Sequence, residues 1–159
     1  MDGASRLLHA TCIAVGDRAA LLLGPSGAGK SDLALRAIST LLYDGTQSVG
    51  ARLVCDDQVL VDVEGGRLRA RPPGAIAGRI EVRGIGIVSV AHQPVSYICL
   101  AVEIGADGAI ERMPEPEAVW EILGVRVPRL RLRPFEASAP LKLVLALARS
   151  ESIEAVTSP

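Results

Sequence analysis

Several features that direct the function of many proteins are scarce in this sequence. Aromatic side chains make up 3% of its 159 residues, and the net charge at pH 7 is −1. A chain so close to neutrality carries no electrostatic signal for nucleic acid or for an anionic membrane. No apolar run approaches the length that spans a bilayer, and the N-terminus lacks the charged and apolar segments of a leader peptide. We therefore expect a soluble, cytoplasmic protein with no nucleic acid or membrane partner.

Cysteine is also scarce, with three widely spaced residues, Cys12, Cys55 and Cys99. No two of them have CxxC spacing, so the sequence gives no support to a zinc or redox site. Each lies inside an apolar segment, as in TCIAV, LVCDD and YICLAV. We expect three buried thiols in a reducing compartment.

The composition that is present is typical of one folded domain. Apolar residues make up 49% and charged residues 22% of the chain, and 159 residues suffice for one core. We expect a single domain over residues 1–159, with residues 151–159 as a frayed tail. Strand patterns outnumber helical patterns, and the chain opens with a strand–loop–helix unit. This arrangement predicts an α/β fold with a mixed sheet.

Hydrophobic periodicity places the individual elements. Strands are predicted over residues 7–15, 19–24, 51–57, 95–104 and 127–134, with a hairpin over 59–73 and a glycine bend within 79–90. Helices are predicted over residues 31–42, 116–123 and 139–151, and residues 45–52 are expected to form a loop.

The stretch GPSGAGKS, residues 24–31, carries the clearest chemical signal, because it matches the pattern G-x-x-x-x-G-K-[ST]. Glycines let the backbone approach closely enough for loop N–H groups to surround phosphate oxygens, and the following helix adds its partial positive end. The pattern predicts a nucleotide-phosphate site in which Lys30 reaches the β- and γ-phosphates and Ser31 binds Mg²⁺. The predicted phosphate-binding residues are Gly24, Pro25, Ser26, Gly27, Ala28, Gly29, Lys30 and Ser31.

Two adjacent carboxylates, Asp56 and Asp57, end the next apolar segment. In P-loop proteins an aspartate in this position holds Mg²⁺ or acts as a base beside the γ-phosphate. Neighbouring side chains of an extended strand point to opposite faces, so we expect one carboxylate to meet the site and the other to face away. His9 lies in the apolar strand just before the strand that leads into the glycine loop. Taken alone, it has the pattern of a core histidine.

Four segments in this order, LHATCIAV, GPSGAGKSDLAL, LVCDDQVLV and IEVRGIGIV, resemble the catalytic domain of the HPr kinase/phosphorylase family. The resemblance covers residues 7–133, and IEVRGIGIV is similar to that family's own signature. It implies a fold related to phosphoenolpyruvate carboxykinase and a protein serine kinase that uses ATP and Mg²⁺. The implied substrate is HPr, the phosphocarrier of sugar transport, or a similar phosphocarrier. The resemblance also implies a homo-oligomer, commonly a hexamer.

The resemblance assigns roles to individual residues. The catalytic residues that match are His9, Lys30, Asp57 and Arg112, the last in the segment IERMPEP. The matching magnesium ligands are Ser31 and Glu81. In this assignment Asp57 accepts the proton of the serine hydroxyl, and Arg112 supplies positive charge to the transferred phosphoryl group.

One region departs from the family pattern and leaves alternatives open. Near the C-terminus the family has a glycine-arginine-asparagine stretch that is tied to dephosphorylation by inorganic phosphate, whereas this chain reads LRPFEASAPLKLV. Kinase activity is therefore the firmer implication, and phosphorolysis is left open. A small-molecule kinase and a non-catalytic module that senses ATP are the other functions consistent with the glycine loop.

Overall fold

The computed structural model describes residues 3–43, 45–74, 76–105, 110–113, 115 and 117–150. In that part of the chain the strands are β1 (Arg6–His9), β2 (Thr11–Val15), β3 (Arg18–Leu23), β4 (Leu41–Tyr43), β5 (Ser48–Gly50), β6 (Arg52–Cys55), β7 (Gln58–Glu64), β8 (Arg67–Arg71), β9 (Arg79–Val82), β10 (Gly86–Ser89), β11 (Ser96–Ile104), β12 (Val119–Ile122) and β13 (Val125–Leu132). The helices are α1 (Lys30–Ile38) and α2 (Ala139–Arg149). Neither of these two helices is long and apolar enough to cross a membrane. The predicted tail, 151–159, lies outside the described residues.

Nine of the described strands form one mixed sheet, with the order β1-β7-β8-β11-β3-β2-β6. Strand β11 is parallel to β3 and pairs in addition with two further strands, antiparallel with β8 along its first part and parallel with β13 along its last part. Strand β12 joins through β13, whereas β4–β5 and β9–β10 are separate antiparallel hairpins. The predicted α/β fold with a mixed sheet is confirmed.

Both faces of the central sheet bury side chains. Along β3, Ala20 and Leu22 belong to one apolar cluster, whereas Ala19 and Leu21 belong to another. Helices α1 and α2 contribute to the first cluster, and β7 and β8 contribute to the second. A strand covered on both faces has apolar residues at every position, which explains the uninterrupted run of β3. All three cysteines are buried and free, as predicted.

The predicted strand over residues 7–15 is wrong in one respect, because it is two strands separated at Ala10. Strand β1 pairs with β7, whereas β2 pairs with β3 and β6. The backbone N–H of Ala10 donates to the carbonyl of Asp57 at 3.0 Å. The chain therefore changes its pairing partner at this residue, which an apolar pattern does not show.

Helix α1 ends at Ile38, four residues before the predicted end. The hydroxyls of Ser39 and Thr40 donate to the carbonyls of Leu35 and Arg36, and these bonds satisfy backbone groups that a longer helix would use. Strand β4 begins shortly afterwards and pairs with β5. The loop predicted over residues 45–52 was therefore also wrong, because β5 lies within it.

The predicted helix over 116–123 is wrong. Its described residues include β12, which forms an antiparallel hairpin with β13. Leu123 and Gly124 join the two strands with φ values of 52° and 77°. Positive φ at both connecting residues is the geometry of a two-residue hairpin turn. The pairing with β13 thus overrides the helical pattern of this segment.

Candidate functional site

Residues 24–31, the glycine loop, connect β3 to α1. Gly27 and Gly29 have φ values of 82° and 100°, a conformation that glycine adopts at little cost. A Cβ atom on Gly24 would lie 2.7 Å from the carbonyl oxygen of Ile104, so the loop begins in close contact with the end of β11. Gly29 caps α1 without a side-chain hydrogen bond. The first N–H groups of the helix are therefore available to an anion.

Lys30 is buried at the start of α1. Its ammonium group donates to the carbonyl oxygens of Gly24, at 2.6 Å, and Pro25, at 2.9 Å. No carboxylate of the described residues forms an ion pair with this ammonium group. A buried cation is costly to maintain without an opposing charge, so the loop suits a bound anion.

Asp56 joins the glycine loop to the end of β6. Its Oδ1 accepts hydrogen bonds from the Ser31 hydroxyl, at 2.6 Å, and from the Thr11 hydroxyl, at 2.9 Å. Asp56 is buried, and bonds to an ionised carboxylate are stronger than bonds between neutral groups. The serine of the loop is thus held against a carboxylate, the pair that holds Mg²⁺ in P-loop proteins.

Asp57 pairs with His9 on the more exposed side of the same turn. The His9 Nδ1 atom lies 3.2 Å from Asp57 Oδ1, and both side chains are more than half exposed. Asp57 has a φ of 67°, so the chain is not extended at this point. The expectation that one aspartate would face away is therefore wrong, because Asp56 contacts Ser31 while Asp57 lines the adjoining cavity.

A cavity of about 420 Å³ lies beside the glycine loop. It collects eight of the residues that the sequence predicts for the site: His9, Ser26, Gly27, Gly29, Lys30, Ser31, Asp57 and Glu81. Glu81 reaches it from β9, the first strand of the hairpin formed by the signature segment. The glycine loop, β1, the turn after β6 and β9 therefore meet around this cavity.

Arg112 does not line this cavity in the structure. It lies instead in a second cavity, of about 330 Å³, together with Arg129, Arg131 and Lys142. The alternating segment that provides Arg129 and Arg131 is β13, as the sequence predicted. The assignment of Arg112 to the transferred phosphoryl group stays a prediction.

Sequence reasoning missed several residues of the site, among them Thr11, Asp56 as partner of Ser31, and Phe135, which also lines the first cavity. The Asp56 pairing had a signal, because an aspartate ending the strand after a P-loop commonly binds the loop serine. Thr11 and Phe135 had no such signal, because each is brought to the site by contacts with residues that are distant in the sequence.

The donor groups around the loop fit a magnesium–nucleotide complex. Among the described residues no group of three or more His, Cys, Asp or Glu side chains is placed to hold a metal ion. Magnesium usually takes only one or two carboxylates from a protein and completes its shell with phosphate oxygens and water. The Ser31 hydroxyl beside the Asp56 carboxylate fits this coordination preference of magnesium.

The fold and the glycine loop define an α/β protein of the P-loop class. More particularly, the chain belongs to the HPr serine kinase C-terminal domain family, whose profile matches residues 3–155. It is 34% identical over 135 residues to the HPr kinase/phosphorylase of Clostridium perfringens, an alignment that covers 79% of this chain and 41% of the relative. It is 26% identical over 152 residues to the protein of the same name from Streptococcus thermophilus. This alignment covers 89% of this chain and 46% of the relative.

A solved structure is similar along most of its length. The Hpr(Ser) kinase/phosphatase from Coxiella burnetii superposes with a TM-score of 0.68 at 26% sequence identity. The match covers 91% of this chain and 94% of that chain. By contrast, the chain spans less than half the length of the curated relatives named above.

Proposed function

We propose that this chain is the catalytic domain of a protein serine kinase that transfers the γ-phosphate of ATP, with Mg²⁺, to HPr or a similar phosphocarrier. One observation carries the proposal: His9, Asp57 and Glu81 gather around the glycine loop in a member of the HPr serine kinase family. The names of the relatives support the substrate class.

The glycine loop and Lys30 bind the phosphate chain in this proposal. The loop N–H groups and the start of α1 surround the oxygens, as in other P-loop proteins. The Lys30 ammonium group has three N–H donors, and two of them hold loop carbonyls. Its uncompensated charge then attracts the β- and γ-phosphates.

Ser31, Asp56 and Glu81 are the residues that would hold Mg²⁺. An ion bound there would supply positive charge against the phosphate oxygens during phosphoryl transfer. The contribution of the chain is orientation, because Asp56 fixes the Ser31 hydroxyl through a bond of 2.6 Å. Thr11 in turn donates to the same Asp56 oxygen at 2.9 Å and helps to hold the carboxylate in place.

Asp57 is the proposed base. Its carboxylate accepts the proton of the acceptor serine as the serine oxygen forms its bond to the γ-phosphorus and the bond to the ADP oxygen breaks. His9, 3.2 Å away, orients that carboxylate. In the reverse direction orthophosphate attacks the phosphoserine, Asp57 returns the proton to the serine oxygen, and pyrophosphate is released.

The forward reaction is tested with the purified chain, a phosphocarrier from the same cell and ATP labelled in its γ-phosphate. We expect label on a serine of the phosphocarrier, dependence on Mg²⁺, and no label on a panel of small metabolites. Label on a metabolite and not on the phosphocarrier would show the small-molecule kinase. ATP binding without transfer to either would show the sensing module.

The reverse reaction and the assembly are tested separately. Phosphorylated carrier and orthophosphate are expected to release pyrophosphate more slowly than the forward reaction runs, because residues 132–144 depart from the family pattern. A reverse rate equal to the forward rate contradicts that expectation. Light scattering of the purified chain tests the proposed homo-oligomer, a hexamer by resemblance, and a single-chain mass contradicts it.

A further inference from the structure

Phe135 is the single phenylalanine of the chain, and it lies at the edge of the site cavity. Its side chain is 72% exposed, although a large apolar ring is usually buried. The far end of the ring lies against the glycine loop, because a Cβ atom on Gly29 would come within 2.9 Å of Phe135 Cζ. The ring therefore contacts the loop while most of its surface stays open.

The residues on both sides of Phe135 are held in place by charged side chains. The Arg36 guanidinium of α1 bonds the carbonyl of Pro134 and the Asp32 carboxylate. On the other side, the Glu136 carboxylate accepts a hydrogen bond from Lys142 of α2 at 3.0 Å. The ring is thus positioned at the cavity by its neighbours and not by burial of its own surface.

The groups that line the cavity differ in character. The proposed base Asp57, its partner His9 and the metal-binding hydroxyl of Ser31 are polar groups that must meet the γ-phosphate. Phe135 and Leu35 are apolar groups of the same cavity. Asp32, a carboxylate that also lines the cavity, is paired with Arg36 at 2.9 Å. An apolar ring next to a phosphate loop suits the nucleoside part of the ligand and not its charged phosphates.

We propose that Phe135 is the stacking platform for the nucleobase of the bound nucleotide. This inference rests on the proposed function only in assuming that a nucleoside triphosphate occupies the glycine loop. Stacking of a base on an aromatic face tolerates any base, because every base has a π-face. The platform therefore strengthens nucleotide binding without selecting adenine over guanine.

The test compares ATP with inorganic tripolyphosphate, which has the phosphate chain but no base, by titration calorimetry on the full chain. Phe135→Ala is expected to weaken ATP binding at least about fivefold and to leave tripolyphosphate binding unchanged. Tyr43→Ala is the control, since it removes another largely exposed aromatic ring, on β4. It is expected to change neither affinity.

A second readout does not depend on loss of affinity. Phe135→Trp in a Trp120→Phe background places the single tryptophan at the cavity, and ATP or GTP should quench its fluorescence whereas tripolyphosphate should not. Equal weakening of ATP and tripolyphosphate binding in Phe135→Ala overturns the platform, as does unchanged binding of both. A changed oligomeric mass with unchanged affinity assigns the ring to an interface and also overturns it. If wild-type protein binds neither compound, the proposed function fails as well.

Discussion

Asp57 occupies a backbone conformation that most residues avoid, with a φ of 67°. Left-handed φ values are sparsely populated outside glycine, although aspartate and asparagine tolerate them better than most residues. Backbone strain of this kind clusters at functional sites. At this position it turns the carboxylate towards His9 while Asp56 stays on Ser31.

Replacement of Asp57 separates its chemical role from its conformational cost. Asp57→Asn keeps the shape but cannot accept a proton, and we expect phosphotransfer to fall at least about 100-fold while ATP binding is retained. Asp57→Gly should lose transfer equally, yet keep the free energy of unfolding within about 1 kcal/mol of the wild-type value, because glycine adopts positive φ freely. Transfer assays, ATP titrations and urea unfolding measure these quantities. Full transfer by Asp57→Asn would remove Asp57 as the base.

Among the elements, β11 and the glycine loop are in close contact. The Gly24 position has no room for a side chain, because a Cβ atom would lie 2.7 Å from a backbone oxygen of the central strand. Strand β11 is paired with three others and cannot move aside. The position of the loop is therefore set by the sheet.

Gly24→Ala tests this dependence. We expect it to lower the free energy of unfolding by about 1–3 kcal/mol and to weaken tripolyphosphate binding, because the loop must shift. Gly50→Ala is the matched control, since its Cβ would meet only the end of the flexible Leu41 side chain, at 3.1 Å. The control should change the free energy of unfolding by no more than about 0.5 kcal/mol. Urea unfolding and calorimetry are the measurements, and equal effects of the two variants would contradict the argument.

At the scale of the whole molecule, an ion pair with two hydrogen bonds lies across β7 and β8. Asp62 and Arg69 face each other in the register, and the guanidinium group donates to both carboxylate oxygens at 2.8 Å. Arg71 adds a third bond. The hydrogen bond from Arg69, with the charges of both arginines, lowers the pKa of Asp62 below its ordinary value of 3.8.

This pair predicts a pH dependence of global stability. A carboxyl whose pKa is lower in the folded state stabilises the protein above its unfolded pKa, and the contribution is lost as the pH falls through the folded pKa. Asp62→Asn should therefore lower the free energy of unfolding by about 1–2 kcal/mol at pH 7, with a smaller difference below pH 3. Asp17→Asn, which breaks a more exposed pair with Arg67, should have little effect. Urea unfolding at pH 7 and below pH 3 measures these free energies. If the difference between Asp62→Asn and wild type is the same at both pH values, the argument is contradicted.

The sequence predicted best those features that depend on residues close together in the chain. The glycine loop is local, so its position and the start of α1 follow from the motif. The pairing of Asp56 with Ser31 could not be read from strand alternation, because the positive φ of Asp57 breaks that alternation. Likewise, β12 has a pattern compatible with a helix, and only its pairing with β13 makes it a strand. Phe135 reaches the cavity through contacts between α1 and a segment about a hundred residues later.

The stretch from His9 to Thr11 has an evolutionary consequence. His9 pairs with Asp57 and Thr11 bonds Asp56, while the intervening Ala10 N–H is bonded to the Asp57 carbonyl. Two consecutive carboxylates are thus contacted, in reverse order, by two side chains that have one residue between them. Inserting or deleting a single residue in either stretch would misalign both pairs together. Lineages that keep this chemistry can therefore exchange residues here, but they cannot change the length of either stretch.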